Sequence, residues 1–176
     1  MTRSELGKTI YQVSHIKGQF TLRSGQIATE YFDKYLFEAA PEILTEIARQ
    51  LSASLPEKFD LLAGLEMGGI PIATALSLHT GHSVRFVRKT AKAYGTGKLA
   101  EGGEVDGMEL VIIEDVVTSG GAIIDAVKKL RSRGAIVRQV CCVIDREATG
   151  RKNLENEGLI LTPLFSRTEL EEYAMQ

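Results

Sequence analysis

The sequence predicts an α/β fold: a parallel central sheet flanked by helices, with a small hairpin near the N-terminus. From residue 60 onward, short apolar segments alternate with amphipathic ones, a pattern typical of a parallel sheet covered on both faces. Gly134 and Gly158 each follow a predicted helix at the C-terminal cap position. Before residue 60 the pattern differs, because two short strand-like segments flank Ser24 and Gly25. They predict a hairpin outside the main sheet.

The N-terminal part of the chain contains a helix and this hairpin. Residues 2–13 are predicted to be helical, because Thr2 and Glu5 have the spacing of a capping box and apolar residues recur on one face. Residues 20–22 and 27–33 are the two predicted strands of the hairpin.

A long helix and the main sheet follow. Residues 38–55 carry an apolar stripe at helical spacing, and Pro41 lies in the first turn, where proline is tolerated. The remaining elements are strands at 61–64, 84–87, 110–113, 137–144 and 159–165, and helices at 70–78, 122–133 and 151–157.

Length and composition describe one globular domain. The chain has 176 residues, 44% hydrophobic and 25% charged, with a net charge of -2. A slightly negative chain is not expected to bind nucleic acid. Cys141 and Cys142 are adjacent in a predicted strand, so they point to opposite faces and suit no ordinary disulfide. With no signal peptide or long apolar span, we expect a cytoplasmic protein without membrane association.

Residues 90–107 interrupt the regular alternation. This stretch is polar and rich in glycine, and it stands where a crossover helix is expected. A loop of that length inside a compact domain is usually functional or mobile. It is preceded by a basic cluster that includes Arg85, Arg88 and Lys89 and continues into the loop at Lys92. A solvated strand end is one interpretation of the cluster, but binding of a phosphate ligand is favoured.

The stretch 111–122 says most about function. An apolar strand at 111–113 leads into Glu114 and Asp115, and a helical pattern begins at Ala122. Between them the turn consists of Val116, Val117, Thr118, Ser119, Gly120 and Gly121. Free N–H groups in such a turn and the positive end of the following helix favour phosphate. An ordinary α/β connection would have the same shape, but it would not require paired acids at an open strand end, where α/β sheets bind ligands.

Three other motifs were weighed. Residues 95–100 match a dinucleotide fingerprint but precede further glycines and no helix. Residues 64–71 lack the lysine of an ATP-binding loop, so they form either a tight turn or a second phosphate contact. His79 and His82 lack the clustered partners that a zinc site needs and are interpreted as loop histidines.

The stretch 111–122 resembles the phosphoribosyl-pyrophosphate (PRPP) motif of type I phosphoribosyltransferases. Three other segments narrow the resemblance to the orotate phosphoribosyltransferases. Residues 18–33 resemble that family's orotate-side hairpin, residues 88–97 its mobile catalytic loop, and residues 145–147 its base-binding strand end. The segments occur in the family's order over most of the chain.

The resemblance implies transfer of the phosphoribosyl group of PRPP to orotate, with Mg2+ held mainly through PRPP and water. It implies a single domain, 1–176, in which residues 1–36 form a hood over the site and residues 90–107 form the mobile loop. The implied catalytic residues are Lys92 and Asp115. The implied PRPP-binding residues are Arg88, Lys89, Lys92, Glu114, Asp115, Val116, Val117, Thr118, Ser119, Gly120, Gly121 and Ala122. The implied orotate-binding residues are Arg23, Tyr31, Phe32, Thr118 and Arg146.

The family also implies a homodimer in which Lys92 reaches the partner's site. Two positions depart from the family pattern, because Arg23 stands where lysine is frequent and Tyr94 where histidine is frequent. Arginine keeps the charge in a different geometry, whereas tyrosine supplies no cation. Two alternatives remain open: a phosphoribosyltransferase for another base, and a regulatory protein that keeps the fold to sense PRPP.

Overall fold

The computed structural model describes residues 1–21, 25–91 and 98–176. Within these ranges there are two sheets, seven α-helices and one short 3-10 helix, Ser52–Ser54. The strands are β1 His15–Thr21, β2 Ile27–Phe32, β3 Leu61–Leu65, β4 Val84–Val87, β5 Ala100–Glu101, β6 Glu109–Val117, β7 Ile136–Asp145 and β8 Ile160–Ser166. The helices are α1 Arg3–Ser14, α2 Tyr35–Glu38, α3 Pro41–Leu51, α4 Gly69–Thr80, α5 Gly121–Arg131, α6 Gly150–Asn156 and α7 Arg167–Met175.

The main sheet has the strand order β5-β4-β3-β6-β7-β8. All neighbouring pairs are parallel except β4 and β5, which are antiparallel. Two clusters of buried apolar side chains cover the opposite faces, and Cys142 belongs to one cluster while Cys141 belongs to the other. The predicted parallel sheet and the separate antiparallel hairpin, formed by β1 and β2, are therefore confirmed.

Helix α1 begins as predicted. The Thr2 hydroxyl accepts a hydrogen bond from the Glu5 N–H at 3.2 Å, and the Glu5 carboxylate accepts one from the Thr2 N–H at 2.7 Å. Leu6 and Ile10 are fully buried on its inner face. Gly134 and Gly158 adopt the positive φ of C-terminal caps, at 85° and 71°.

The predicted helix at 38–55 is wrong in its boundaries. Helix α2 ends at Glu38, Ala40 is extended, and α3 begins at Pro41 and ends at Leu51. The ring of proline disfavours helical geometry in the residue before it, which explains the break at Ala40. Leu55 is extended for the same reason, because Pro56 follows it.

Strand β6 is longer than predicted, because it continues past both acids to Val117. Val116 and Val117 pair with Ile144 and Asp145 of β7. The sequence predicts a strand end at 113, where the apolar run meets the two acids. Here the neighbouring strand pairs with the backbone to the end, and Asp115 is buried with 1% of its surface exposed.

The second half of the 90–107 stretch packs against the sheet edge. Leu99, Ala100 and Val105 are buried, and the Arg88 N–H donates to the Leu99 carbonyl at 2.9 Å. Arg85 donates to the carbonyls of Glu104 and Val84 and so holds this segment against β4, while its predicted phosphate contact stays a prediction. In the described ranges no helix is long and apolar enough to cross a bilayer.

Helix α7 was not predicted, although its start carries a capping box. The Ser166 hydroxyl accepts from the Glu169 N–H at 3.2 Å, and the Glu169 carboxylate accepts from the Ser166 N–H at 2.8 Å. The helix packs against α1, where Arg3 pairs with Glu169 at 2.8 Å. The spacing of Ser166 and Glu169 was a usable signal that the sequence analysis missed.

Replacing Ser166 by alanine is expected to destabilise the protein by about 1 kcal/mol, because the Glu169 N–H loses its capping acceptor. Urea unfolding of the wild type and the variant measures the difference. Ser83→Ala, at an exposed position outside any helix start, is the matched control and should change little. Equal stability of the Ser166 variant and the wild type would contradict the capping role.

Candidate active site

A loop between β6 and α5 forms a small pocket of about 180 Å³. Gly120 adopts a φ of 74°, and a Cβ there would lie 3.2 Å from Leu154. Helix α6 supports the loop, because the Gly150 N–H donates to the Thr118 carbonyl at 2.9 Å and the Asn153 amide donates to the Ser119 carbonyl at 3.0 Å. The pocket opens at the N-terminus of α5, where the helix dipole favours an anion.

All the residues predicted to bind phosphate in this loop come together. The pocket is lined by Glu114, Val116, Val117, Thr118, Ser119, Gly120, Gly121, Ala122 and Ile123. Asp115 does not line it, because side chains alternate along a strand and this carboxylate points to the other face from Glu114.

Asp115 is enclosed by groups that the sequence analysis did not identify. Its Oδ1 accepts a hydrogen bond from the Val116 N–H at 2.5 Å. Its Oδ2 forms an ion pair with the Lys34 ammonium. Gly68 lies so close that a Cβ on it would be 1.5 Å from this oxygen. Our expectation of an acid at an open strand end is therefore wrong.

Two further acids crowd around Asp115. Burial and the adjacent Asp115 raise the pKa of Glu38 to about 8. The same two causes hold the pKa of Glu114 well above its ordinary value. Burial opposes the charged form of Lys34, but the bond to Asp115 outweighs it and raises the pKa of this lysine. Lys34 is thus a cation among crowded carboxyl groups.

A larger cavity of about 240 Å³ lies between the hairpin, the end of β7 and α7. Its lining includes Tyr31, Phe32 and Arg146, which were predicted to contact a flat base. Thr118, predicted to bind there as well, lines the phosphate pocket and not this cavity. The lining residues that the sequence analysis missed are Tyr11, His15, Glu30, Ile144, Arg167, Leu170 and Glu171.

The polar groups of this cavity are held in place. His15 pairs with Glu30 at 3.0 Å, and the Tyr11 ring lies 4.8 Å from the His15 ring. The residue after Arg146, Glu147, has a φ of 55° and accepts from the N–H and the hydroxyl of Thr168. These bonds fix the turn that presents Arg146.

A third cavity, of about 210 Å³, contains the predicted Arg88 and Lys89 and shares Glu114 with the phosphate pocket. Arg88 pairs with Glu101 at 3.0 Å. The Lys89 N–H donates to the Glu66 carboxylate at 2.8 Å, and its carbonyl accepts from Lys129 at 2.7 Å. Hydrogen bonds to both the N–H and the carbonyl of Lys89 therefore hold the backbone just before residues 92–97.

Three predicted positions, Arg23, Lys92 and Tyr94, lie outside the described residues. The dinucleotide-like motif at 95–100 lies partly outside them as well. In the described ranges no group of three or more His, Cys, Asp or Glu side chains is arranged to hold a metal ion. His82 stacks on Phe59 with ring centres 4.2 Å apart.

Comparison with known proteins agrees with this geometry. Residues 36–158 match the family model described as a phosphoribosyl transferase domain. The chain is 52% identical to an orotate phosphoribosyltransferase of a Nocardioides species, over 94% of this chain and 93% of the relative. It is 40% identical to the enzyme of that name from Methanocella arvoryzae, over 95% and 96%.

Solved structures agree as well. The orotate phosphoribosyltransferase of Mycobacterium tuberculosis, crystallised in complex with PRPP, superposes with a TM-score of 0.82 and 27% identity, covering 96% of this chain and 98% of that one. The loop between β6 and α5, the paired acids and the cavity beside the hairpin thus stand in a fold shared with these relatives. The chain belongs to the orotate phosphoribosyltransferases, within the type I phosphoribosyltransferase family.

Proposed function

We propose that this protein transfers the phosphoribosyl group of PRPP to orotate, giving orotidine 5'-monophosphate and pyrophosphate in pyrimidine synthesis. The observation that carries the proposal is the position of Glu114, which lines both the phosphate pocket and the cavity of Arg88 and Lys89. A sugar lying over this acid would have its 5'-phosphate on one side and its pyrophosphate on the other.

The phosphate loop holds the 5'-phosphate of PRPP. The backbone N–H groups of residues 118–122 and the positive end of α5 supply donors for its oxygens. Loop geometry is fixed by α6 before any ligand arrives. No reorganisation of the loop is then needed during the reaction, which is the condition under which fixed dipoles are most effective.

The paired acids act on the ribose. Glu114, which lines the pocket at α5, accepts hydrogen bonds from its hydroxyl groups. Asp115, enclosed on the other face of β6, acts through its charge, which favours the cationic character that develops at the ribose carbon. Because Asp115 is almost fully buried, its field acts through a medium of low polarity, where charge interactions are stronger than in water.

The base lies in the larger cavity. Tyr31 and Phe32 supply flat apolar faces, and the Arg146 guanidinium pairs with the carboxylate or ring oxygens of orotate. Arg23 would add a second cation from the hairpin turn.

The departing pyrophosphate meets Arg88 and Lys89, and Lys92 closes over it from the loop. Mg2+ supplies charge neutralisation for this group, held mainly through PRPP oxygens and water.

We also propose a homodimer in which the loop of one subunit carries Lys92 to the other subunit's site. The cytoplasm is the proposed location, because Cys141 and Cys142 are free buried thiols.

The proposed substrate is tested with purified protein, PRPP, Mg2+ and a panel of bases. Orotate is expected to be consumed, whereas uracil and adenine lack the carboxylate that Arg146 would bind. Product formation is measured by chromatography. Equal turnover of uracil would contradict the orotate assignment, and absence of turnover with every base would favour a PRPP-sensing protein.

Replacing Asp115 by asparagine is expected to lower kcat by on the order of a hundredfold, because one preorganised charge is removed. The buried Lys34 pair also loses its anion, so the free energy of unfolding should fall by about 1 kcal/mol or more. Steady-state assays and melting curves on one preparation separate these effects.

Asp60→Asn is the matched control for Asp115→Asn. Asp60 lies at the amino end of β3, at the opposite edge of the sheet from the site, and its replacement should leave kcat unchanged. Near-normal turnover of the Asp115 variant would remove this acid from the reaction.

The proposed loop exchange is tested by mixing two inactive variants, Lys92→Ala and Asp115→Ala. If Lys92 serves the partner's site, each mixed dimer contains one complete site, and random mixing restores about a quarter of the wild-type turnover. Activity is measured after the subunits are dissociated and reassociated. No recovery, with mixed dimers present by mass spectrometry, would place Lys92 in its own subunit's site.

A further inference from the structure

We infer that Lys34 and Glu38 are positioning residues for Asp115: Lys34 through its ion pair and Glu38 through a hydrogen bond donated by a protonated carboxyl group. The inference rests on the proposed function, because it concerns the acid that would act on the ribose. Neither residue belongs to the motifs that carry the family resemblance.

The contacts around Asp115 come from two separate parts of the chain, the α2 segment and the turn at Gly68. Lys34 lies at the start of α2, immediately after the hairpin, and its ammonium contacts the Oδ2 of Asp115. Glu38, one turn later at the end of α2, is buried with 6% of its surface exposed. Gly68 closes the remaining side, where a Cβ would overlap the same oxygen. The acid is thus confined by a cation, a second carboxyl group and backbone.

A proton between the two carboxyl groups is required by their chemistry. Glu38 ends the same four-residue helix that brings Lys34 onto Asp115, and two ionised carboxylates are acceptors only. The Oε1 of Glu38 is buried and has no hydrogen-bond partner among the described residues. A protonated Glu38 would donate to Asp115 and satisfy this contact, whereas an ionised pair would leave two buried acceptors facing each other.

The surrounding charges support a neutral Glu38. The charged groups that face it are Asp33 and Lys34 at the start of α2 and Asp115 on β6. Burial and the negative charge of Asp115 raise the pKa of Glu38 to about 8, and Lys34 opposes the rise only in part. At neutral pH the carboxyl group is therefore mostly protonated.

This arrangement reduces the electrostatic repulsion that the site would otherwise exert on PRPP. PRPP is a polyanion, and three carboxyl groups, those of Glu38, Glu114 and Asp115, stand close to where it would bind. Lys34 balances one negative charge, and the proton on Glu38 removes another. The side chain of Asp115 is then fixed in direction, and the cluster repels the substrate less.

Lys34 also connects the two halves of the site. It lies two residues after Phe32, which lines the base cavity. The Asp33 N–H donates to the Ser14 carbonyl at 2.8 Å, and the Tyr35 N–H donates to the Asp33 carboxylate at 3.1 Å. The end of the hairpin is therefore held in place, and the same short segment sets the positions of a base-cavity wall and of the cation on Asp115.

The experiment compares Lys34→Met, Lys34→Arg and Glu38→Gln with the wild type, by steady-state kinetics with PRPP and orotate varied separately. Lys34→Met is expected to lower kcat by about a hundredfold, since a small displacement of a reacting group costs that much. Lys34→Arg keeps the charge and should restore part of the loss. Lys128→Met, which removes a surface ion pair with Glu157, is the matched control and should retain wild-type kcat.

Glu38→Gln gives the discriminating pH profile. At pH 7 the neutral amide still donates to Asp115, so kcat should stay within about threefold of wild type. Above pH 8 the wild type should bind PRPP more weakly as Glu38 ionises, and the KM for PRPP should rise. The glutamine variant should not show this rise. A parallel rise in both proteins, or a normal kcat in Lys34→Met, would overturn the inference.

A stability measurement gives the same answer without turnover. A pKa of about 8 in the folded protein lies above the value of about 4.3 expected for an unfolded glutamate. Folding then takes up a proton, and stability is lost as the pH rises from about 5 to about 8. The wild-type Tm should therefore fall relative to that of Glu38→Gln over this range.

This second readout separates the inference from the proposed function. A wild type that turns over no base would contradict the function, yet the pH-dependent difference in Tm would still report on the Glu38 proton. A constant Tm difference between pH 5 and 8 would show that Glu38 is ionised throughout and would overturn the inference. If Lys34→Met does not fold, the Lys34→Arg kinetics and the Glu38→Gln profiles decide the matter.

Discussion

The buried carboxylate of Asp115 is the constraint on which the site depends. An acid with 1% of its surface exposed is unstable in a protein unless a cation and hydrogen-bond donors stand around it. Here those partners come from the segment after the hairpin, through Lys34, and from the strand itself, through the Val116 N–H. The hairpin segment is therefore tied to the sheet by the electrostatics of one side chain.

Close backbone packing imposes the second constraint. A Cβ on Gly69 would lie 2.2 Å from the Ile113 carbonyl, and a Cβ on Gly64 would lie 2.8 Å from both Ala73 and the Gly69 carbonyl. With Gly68 against Asp115, the turn between β3 and α4 has room for backbone only. From the sequence, residues 64–71 had two interpretations, a tight turn or a second phosphate contact. The turn proves to pack directly on the acid-bearing strand, so its glycines are needed by the site in either case.

The sequence was sufficient for what depends on local patterns. Alternating apolar segments identified the parallel sheet, and small residues between a strand and a helix identified the loop, although Val116 and Val117 belong to β6 and Gly121 begins α5. The sequence alone does not identify partners that are distant along the chain. One such partner is Lys34, whose ammonium contacts an acid 81 positions later. The predicted end of β6 was wrong for the same reason. Val117 pairs with Asp145 of β7, a strand that comes later in the chain.

Helix α7, which was not predicted from the sequence, completes the cavity proposed for the base. Arg167, Leu170 and Glu171 form one wall of the base cavity, and Thr168 binds the Glu147 carboxylate that fixes the turn after Arg146. The other walls come from the hairpin and from β7. The phosphate pocket is built within one continuous stretch of chain, whereas the base cavity needs both ends of the chain to be folded together. The lining of the pocket proposed for phosphate is thus local in sequence, whereas that of the cavity proposed for the base is a property of the tertiary structure.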